Sequence, residues 1–266
     1  MHVIYPYPIP KVLLSAGQVV VTRKFANPKP VCSPEEAIDL FNTNPCEQLI
    51  LMDLDAIDGE RDIDGFEIFA DKANMPLVYG GAIHSQNEID QFLVRGADKI
   101  LISSQITNSL EFLEEALQNF GAGRIMACID VQGHFFGGHK IHDKRGKKNT
   151  GTAIKDFLPE LYSLGIKEVL IQNVAHDGMR NGFDIKLLTT LAEVEQHPSL
   201  IISSGLVKPE DFRKLVDIMP AARTAASSFF FQDKKLMPEL KFPEEPIFKT
   251  TGSTTSFNST AINIKS

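Results

Sequence analysis

The sequence is short of several things, and each shortage narrows what the chain can be. It holds three cysteines, Cys32, Cys46 and Cys128, an odd number without metal-ligand spacing. That usage fits reduced thiols in a cytoplasmic protein, and no metal or other cofactor is expected. No apolar run approaches the roughly eighteen residues that a membrane span needs, so no membrane role is expected. The opening MHVIYPYPIPK carries three prolines and no basic segment ahead of an apolar core, which does not read as a signal peptide. Basic residues are outnumbered, 27 Lys and Arg against 34 Asp and Glu, and the net charge of −7 weighs lightly against nucleic acid as a partner. Acidic residues are missing altogether before Glu35.

What is present is an alternation. The 266 residues, 43% of them apolar, suit one large α/β barrel or two small domains. Apolar, β-branched runs at 48–56, 75–83, 100–104, 124–131, 168–175, 199–205 and 221–231 read as strands, joining the buried-looking start IPKVLLS that turns into a hairpin. Helical patterns lie between them, at 87–99, 153–165 and 209–219 for example. Near-continuous apolar strands alternating with helices imply a parallel sheet covered on both faces, and eight such units fit a (β/α)8 barrel of about 250 residues.

The halves of the chain also echo each other. LILMDLDAIDG answers VLIQNVAHDGM, LVYGGAIHSQNEIDQFL answers LIISSGLVKPEDFRKLV, and ADKILISSQI answers ARTAASSFFF, at an offset of about 120–125 residues. A half-barrel duplicated to close on itself explains that repeat, and an open doubly wound sheet does not. The expected organisation is one barrel over 1–235 and a partly disordered tail over 236–266, polar and interrupted by prolines. The run HKIHDKRGKKNTG (139–151) is locally basic; it reads as a solvated loop, or as a loop around a phosphorylated small molecule.

Barrel active sites gather at the C-terminal ends of the strands. There the sequence sets Asp53 and Asp55, Gly80-Gly81-Ala82, Ser103-Ser104, Asp130, Asp177-Gly178, Ser204-Gly205 and Ala226-Ser227-Ser228. Gly80 and Gly81 with Ser103 and Ser104, and Gly205 with Ala226 and Ser227, look like two phosphate cradles, because small residues let backbone N–H groups and hydroxyls approach an anion. A glycine after a strand is by itself most often a turn; duplication at matching places is the stronger signal. It predicts a substrate with a phosphate at each end, with Asp130 between the cradles as a general acid or base. Asp53 reads equally as a lumen carboxylate or a structural one, and His176 as an incidental loop residue.

Taken together, GGAIH, RGADKILISS, RIMACIDV, GKKNTG and VAHDGMRNGFD, in this order and spacing, resemble HisF, the cyclase subunit of imidazole glycerol phosphate synthase, over roughly residues 9–232. The resemblance implies a HisH-like glutaminase partner docked on the N-terminal face of the barrel. It implies ammonia passing through the barrel to a bis-phosphorylated small-molecule substrate. By the same resemblance Asp130 is the catalytic acid; Ala82, Ser103 and Ser104 form one phosphate site; Asp177, Gly178, Leu206, Ala226 and Ser227 form the other; and Lys99 and Glu168 belong to a charged gate. Ala82 and Leu206 stand where the family has glycine, Gln48 where the gate has a carboxylate, and the gate's N-terminal arginine has no counterpart.

The largest departure is in the first strand, which in the family ends in the aspartate that serves as general base. Here VLLSAGQVVVTR offers Leu14 or Ser15 at that place, and Val21 for a following lysine. Losing an acid–base partner costs about 10²–10⁴ in rate. The pattern IPxxLL, a Gly hairpin and KF-x-NP instead resembles HisF-like paralogues from surface-polysaccharide gene sets. In those, the barrel and a HisH-like glutaminase feed ammonia to a third, sugar-amidating enzyme. Three readings follow: ammonia supply to that enzyme, a working imidazole glycerol phosphate synthase subunit of histidine biosynthesis with its base supplied from elsewhere, and a non-catalytic activator of the glutaminase.

Overall fold

Short strands that are apolar on both faces need cover on both sides, and here the sheet closes on itself while helices wrap the outside. The computed structural model of the chain describes residues 8–43, 46–103, 105–106, 110–134, 138–143, 148–232 and 235–236. The strands are β1 (Ile9–Ser15), β2 (Gln18–Arg23), β3 (Ala26–Cys32), β4 (Leu49–Asp53), β5 (Leu77–Gly80), β6 (Lys99–Ile102) and β7 (Ile125–His134). They continue as β8 (Gly138–Asp143), β9 (Lys148–Ala153), β10 (Glu168–Asn173), β11 (Ser199–Ser203), β12 (Arg223–Ala226) and the short antiparallel pair β13 (Phe231–Gln232) and β14 (Lys235–Leu236). The helices are α1 (Pro34–Asn42), α2 (Ile63–Lys72), α3 (Gln86–Val94), α4 (Glu111–Phe120), α5 (Ile154–Ser163), α6 (Ile185–Ala192) and α7 (Pro209–Ile218).

Eight strands pair in parallel in the order β1-β4-β5-β6-β7-β10-β11-β12, and β12 returns to β1 with Ile9 opposite Ala225. The fold is a (β/α)8 barrel. Its interior is packed by a ring to which every barrel strand contributes: Ile9, Ile50, Val78, Leu101, Met126 with Cys128, Leu170, Ile201 and Ala225. A second, larger core fills the space between barrel and helices, with Phe66, Tyr79 and Phe92 in mutual ring contact. Serine caps start two helices: Ser33 and Ser85 each accept from the backbone three residues on, at Glu36 and Glu88, whose carboxylates reach back.

Two antiparallel additions rise from the C-terminal rim. β2 folds back on β1 through Ala16 and Gly17, both left-handed (φ 51° and 73°), the twist a two-residue hairpin needs, and β3 continues it. On the far side β7 runs on past the barrel and pairs with β8, and β8 with β9. The basic run expected to be a loop is therefore mostly two paired strands, with 144–147 outside the described residues. The last barrel strand is also shorter than its expected span of 221–231. After Ala226 the chain turns so that Phe230 packs edge-on against Phe41 of α1, with centroids 5.2 Å apart. No α-helix follows β12 among the described residues, and 237–266, nearly all of the expected tail, lie outside them.

Candidate functional site

Side chains alternate along a strand, so Ile9 facing the barrel interior puts Lys11 and Leu13 there too. Lys11 is 2% exposed in the lumen. Its ammonium donates to Gln172 Oε1 at 3.0 Å, lies 3.7 Å from Asp177 Oδ1, and stands 5.3 Å from the Phe25 ring centroid. Gln172 in turn donates through Nε2 to Asp130 Oδ1 at 2.9 Å. Lys11, Gln172 and Asp130 thus form a polar bar across the lumen just above its apolar ring. It separates two concavities at the C-terminal mouth.

The first concavity belongs to the second half of the chain. Lys11, Leu13, Val21, His176, Asp177, Gly178, Arg180 and Ser203 through Leu206 line it, with Ala226, Ser227 and Ser228. Asp177 holds the β2–β3 hairpin over this pocket: Oδ2 accepts from Thr22 Oγ1 at 2.8 Å and from the Phe25 amide at 3.1 Å, and its carbonyl accepts from the Lys24 amide at 2.9 Å. Gly178 has φ +63°, and a Cβ there would lie 1.9 Å from the Thr22 carbonyl oxygen, so only glycine lets the hairpin close. Gly205 answers a different need, since a Cβ would lie 2.4 Å from the Phe183 ring. The buried hydroxyl oxygens of Ser203, Ser204 and Ser227 find no hydrogen-bond partner. Leu206 is buried and contributes an apolar wall where small residues surround it.

The second concavity belongs to the first half and is lined by Phe25, Met52, Asp53, Leu54, Ile57, Gly81, Ala82, Leu101, Ser103, Asp130, Asp143 and Gln172. Gly80 ends β5 beneath it, and Ala82 takes a left-handed φ of 46°, a conformation glycine occupies more easily. Arg61 fastens the turn by donating to the Gly81 and Ala82 carbonyls. Ser104 lies outside the described residues. Asp53 is structural in its bonding: its carboxylate accepts from the amides of Asp55, Ala56 and Asp62 and from Tyr79 Oη. Burial nevertheless raises its pKa above the ordinary aspartate value.

Asp130, 6% exposed, sits at the boundary of the two concavities. Burial pushes its pKa up to about 6; the Gln172 hydrogen bond and the Lys11 charge oppose the rise, while Asp177 and Asp143 add to it. A carboxyl balanced near neutrality can give or take a proton. No carboxylate faces it from β1. The lumen position there is Leu13, packed with Val20, Leu54 and Met52, rather than the expected Leu14 or Ser15. Leu14 points into the outer core, and Ser15 Oγ donates to Asp55 Oδ1 at 2.9 Å. Asp55 also accepts from the Ala16 amide at 2.6 Å, so the acid nearest the strand end is occupied in holding the hairpin tip. His176 is tied through Nδ1 to the Gly182 carbonyl at 3.1 Å.

At the opposite, N-terminal end of the barrel the charged residues form a ring. Lys99 pairs with Glu168 and donates to Gln48 Oε1 at 3.0 Å. Arg223 donates to Glu168 Oε1 at 2.7 Å and to Glu47 Oε1 at 2.6 Å. Burial opposes the Glu168 charge, but bonds and charges from Lys99 and Arg223 outweigh it and hold its pKa below the ordinary glutamate value. The N-terminal segment carries no arginine, and the guanidinium in this ring is that of Arg223 on β12. The internal repeat is the signal that finds it: Arg223 answers Lys99, as Glu168 answers Gln48. Lys11 was missed because a lysine inside an apolar run reads as an edge residue until the parity of the strand is known.

The family model described as "Histidine biosynthesis protein" matches residues 9–235. The chain is similar to the HisF subunit of imidazole glycerol phosphate synthase from Solibacter usitatus, 30% identical over 226 residues, covering 84% of this chain and 89% of that protein. It is 28% identical over 240 residues to a Pseudomonas aeruginosa protein named as a candidate subunit of the same enzyme, hisF2, covering 89% of this chain and 95% of the relative. A Vibrio vulnificus counterpart named hisF3 is 27% identical over 239 residues, 88% of this chain and 92% of the relative.

Proposed function

The chain belongs to the histidine biosynthesis protein family as a HisF-like barrel, and from that premise we propose that it is the ammonia-receiving synthase subunit of a glutamine amidotransferase pair. In this reading a HisH-like glutaminase docks on the N-terminal face, over the ring of Gln48, Lys99, Glu168 and Arg223. Neutral ammonia crosses the apolar layer of the lumen and leaves at the C-terminal mouth, which keeps a phosphorylated ligand. The acceptor is a third enzyme that amidinates a sugar.

The observation that carries the reading is the contrast between the two ends of β1's barrel. The charged entrance retains opposed Lys, Glu and Arg side chains in contact, whereas the mouth offers an apolar Leu13 where cyclisation needs a base. Ionic groups at the entrance would exclude bulk water and ammonium while an apolar interior passes the uncharged molecule. Asp130, with its pKa near 6, favours the second reading, a working cyclase subunit of histidine biosynthesis.

One assay separates them: turnover of the HisF ribulosyl substrate by purified protein with an ammonium salt and no partner, beside the Leu13→Asp variant. The proposal expects no turnover by the natural chain. Turnover within about 10²-fold of a genuine cyclase would overturn it, because loss of one acid–base partner costs at least that much. Leu13→Asp gaining activity would identify the missing group directly.

A further inference from the structure

The lumen is crossed by side chains that bond one to the next. β1 and β7 stand opposite each other in the ring of eight strands. Lys11 reaches from β1 to Gln172 of β10, and the Gln172 amide carries the connection on to Asp130 of β7. Gln172 Nε2 also donates to Cys128 Sγ at 3.2 Å, so the bar rests directly on the apolar ring beneath it. From the mouth side Phe25 roofs it, with the ring centroid 5.3 Å from the Lys11 ammonium. All three members of the bar are buried, and a path along the barrel axis runs into them.

A charge at that depth is not needed for packing. Burying an ammonium is costly unless it is paired, and a methionine of similar length fills the space without that cost. The pairing is also incomplete. Lys11 bonds Gln172 at 3.0 Å but stands 3.7 Å from Asp177 Oδ1, beyond hydrogen-bond reach. Asp177 Oδ2 meanwhile accepts from Thr22 Oγ1 and the Phe25 amide of the hairpin. The ammonium thus faces two acceptors and is bonded to one, and the other belongs to the carboxylate that seats the hairpin.

We propose that Lys11 is an exit gate for ammonia, closed while its ammonium is on Gln172 and open when it shifts onto Asp177. This rests on the reading of the barrel as an ammonia-receiving subunit and adds a control at the mouth end of its lumen. The fixed positive charge turns back ammonium. Neutral ammonia has a lone pair and three N–H groups, so it can accept the Lys11 N–H that Gln172 gives up and donate in turn to Gln172 Oε1. Because Asp177 holds both the hairpin and the gate, movement of the hairpin over the mouth and release of ammonia form one equilibrium.

Cys128, just under the bar, supplies the test. The full chain is treated with methylmercury hydroxide, which forms an S–Hg bond while the thiol proton leaves with the hydroxide as water, and the Cys128 peptide is followed by mass. Burial raises the Cys128 pKa and Lys11 is among the groups that oppose the rise. Removing the lysine therefore leaves the thiol less ionised, and a faster reaction reads access. In the natural chain Cys128 is expected to react more slowly than the half-buried Cys32 and Cys46. Lys11→Ala and Lys11→Met are each expected to speed Cys128 by about tenfold or more, the loss of one charged hydrogen bond. Leu161→Ala on α5, which weakens the outer core and leaves the bar intact, is expected not to. Equal rates in the natural chain and the folded Lys11 variants overturn the gate. Acceleration by Ala but not by Met makes the side chain a steric plug and overturns the polar switch. Equal acceleration by Leu161→Ala shows entry through unfolding and overturns it as well. Glutamate formation with a HisH-like glutaminase is scored separately: no stimulation by the barrel sinks the amidotransferase reading and leaves the labelling result standing.

Discussion

Gln172 and Asp130 stand opposite each other in the parallel pairing of β10 and β7, and the Gln172 amide donates to the Asp130 carboxylate at 2.9 Å. One neutral amide therefore links the carboxyl that can move a proton to the lumen lysine on its other side.

A consequence is pH-dependent stability. The Asp130 pKa rises from 3.8 to about 6 on folding, so the folded state prefers the protonated form. The stabilisation from that proton is complete below about pH 4 and is lost as pH climbs through about 6. Asp130→Asn removes the dependence. In urea unfolding it should be more stable than the natural chain at pH 8, by an amount on the order of 2–3 kcal/mol, and the difference should vanish near pH 4. A gap independent of pH would show that Asp130 is not the group responsible.

Arg223 makes a second case. Replacing it with Gln leaves Glu168 paired with Lys99 but frees Glu47 and opens one side of the N-terminal ring. The pairs are partly exposed, so stability should fall by only about 1 kcal/mol. With a glutaminase partner, the fraction of released ammonia that escapes into solution should rise. Ammonia capture equal to that of the natural chain would mean that the ring does not seal the joint.

The hairpin latch gives the third. Gly178→Ala forces a methyl group toward the Thr22 carbonyl at a φ that alanine resists. The cost should be about 2 kcal/mol or more, and proteolysis should move to the β2–β3 segment, while a variant at half-buried Gly121, where a Cβ meets nothing, loses less. Equal losses at both positions would remove the steric argument.

Much of this was legible in the residues. Runs such as LILM (49–52) and VLI (169–171) are apolar at consecutive positions, as a covered parallel sheet requires, and the repeat supplied closure. The motif residues at the strand ends fell where parallel strands carry them. The misses share one cause, that a sequence does not state the parity of a strand or the path of a turn. Leu13 rather than Leu14 faces the lumen because Ile9 does, and Lys11 shares that face. The segment after Ala226 looked like strand because its phenylalanines are apolar, but the chain turns there and Phe230 buries against Phe41 of α1. Paired β8 and β9 looked like a loop because charge dominates composition even where backbone hydrogen bonds set the structure.

The junction of β1 with β12 also sets an order of assembly. Ile9 pairs with Ala225, and the hairpin that follows β1 is held by Asp177 from the far half of the chain. A ribosome delivers the first strand long before either partner exists. Until then β2 covers the far edge of β1 only at Leu13–Ser15, and the start of that edge, at Ile9 and Pro10, is open to any extended chain nearby. Such long-range closure slows folding relative to local pairing. Chaperone dependence during synthesis, and misassembly between nascent copies, should therefore concentrate on the N-terminal half of this barrel rather than on the half that completes it.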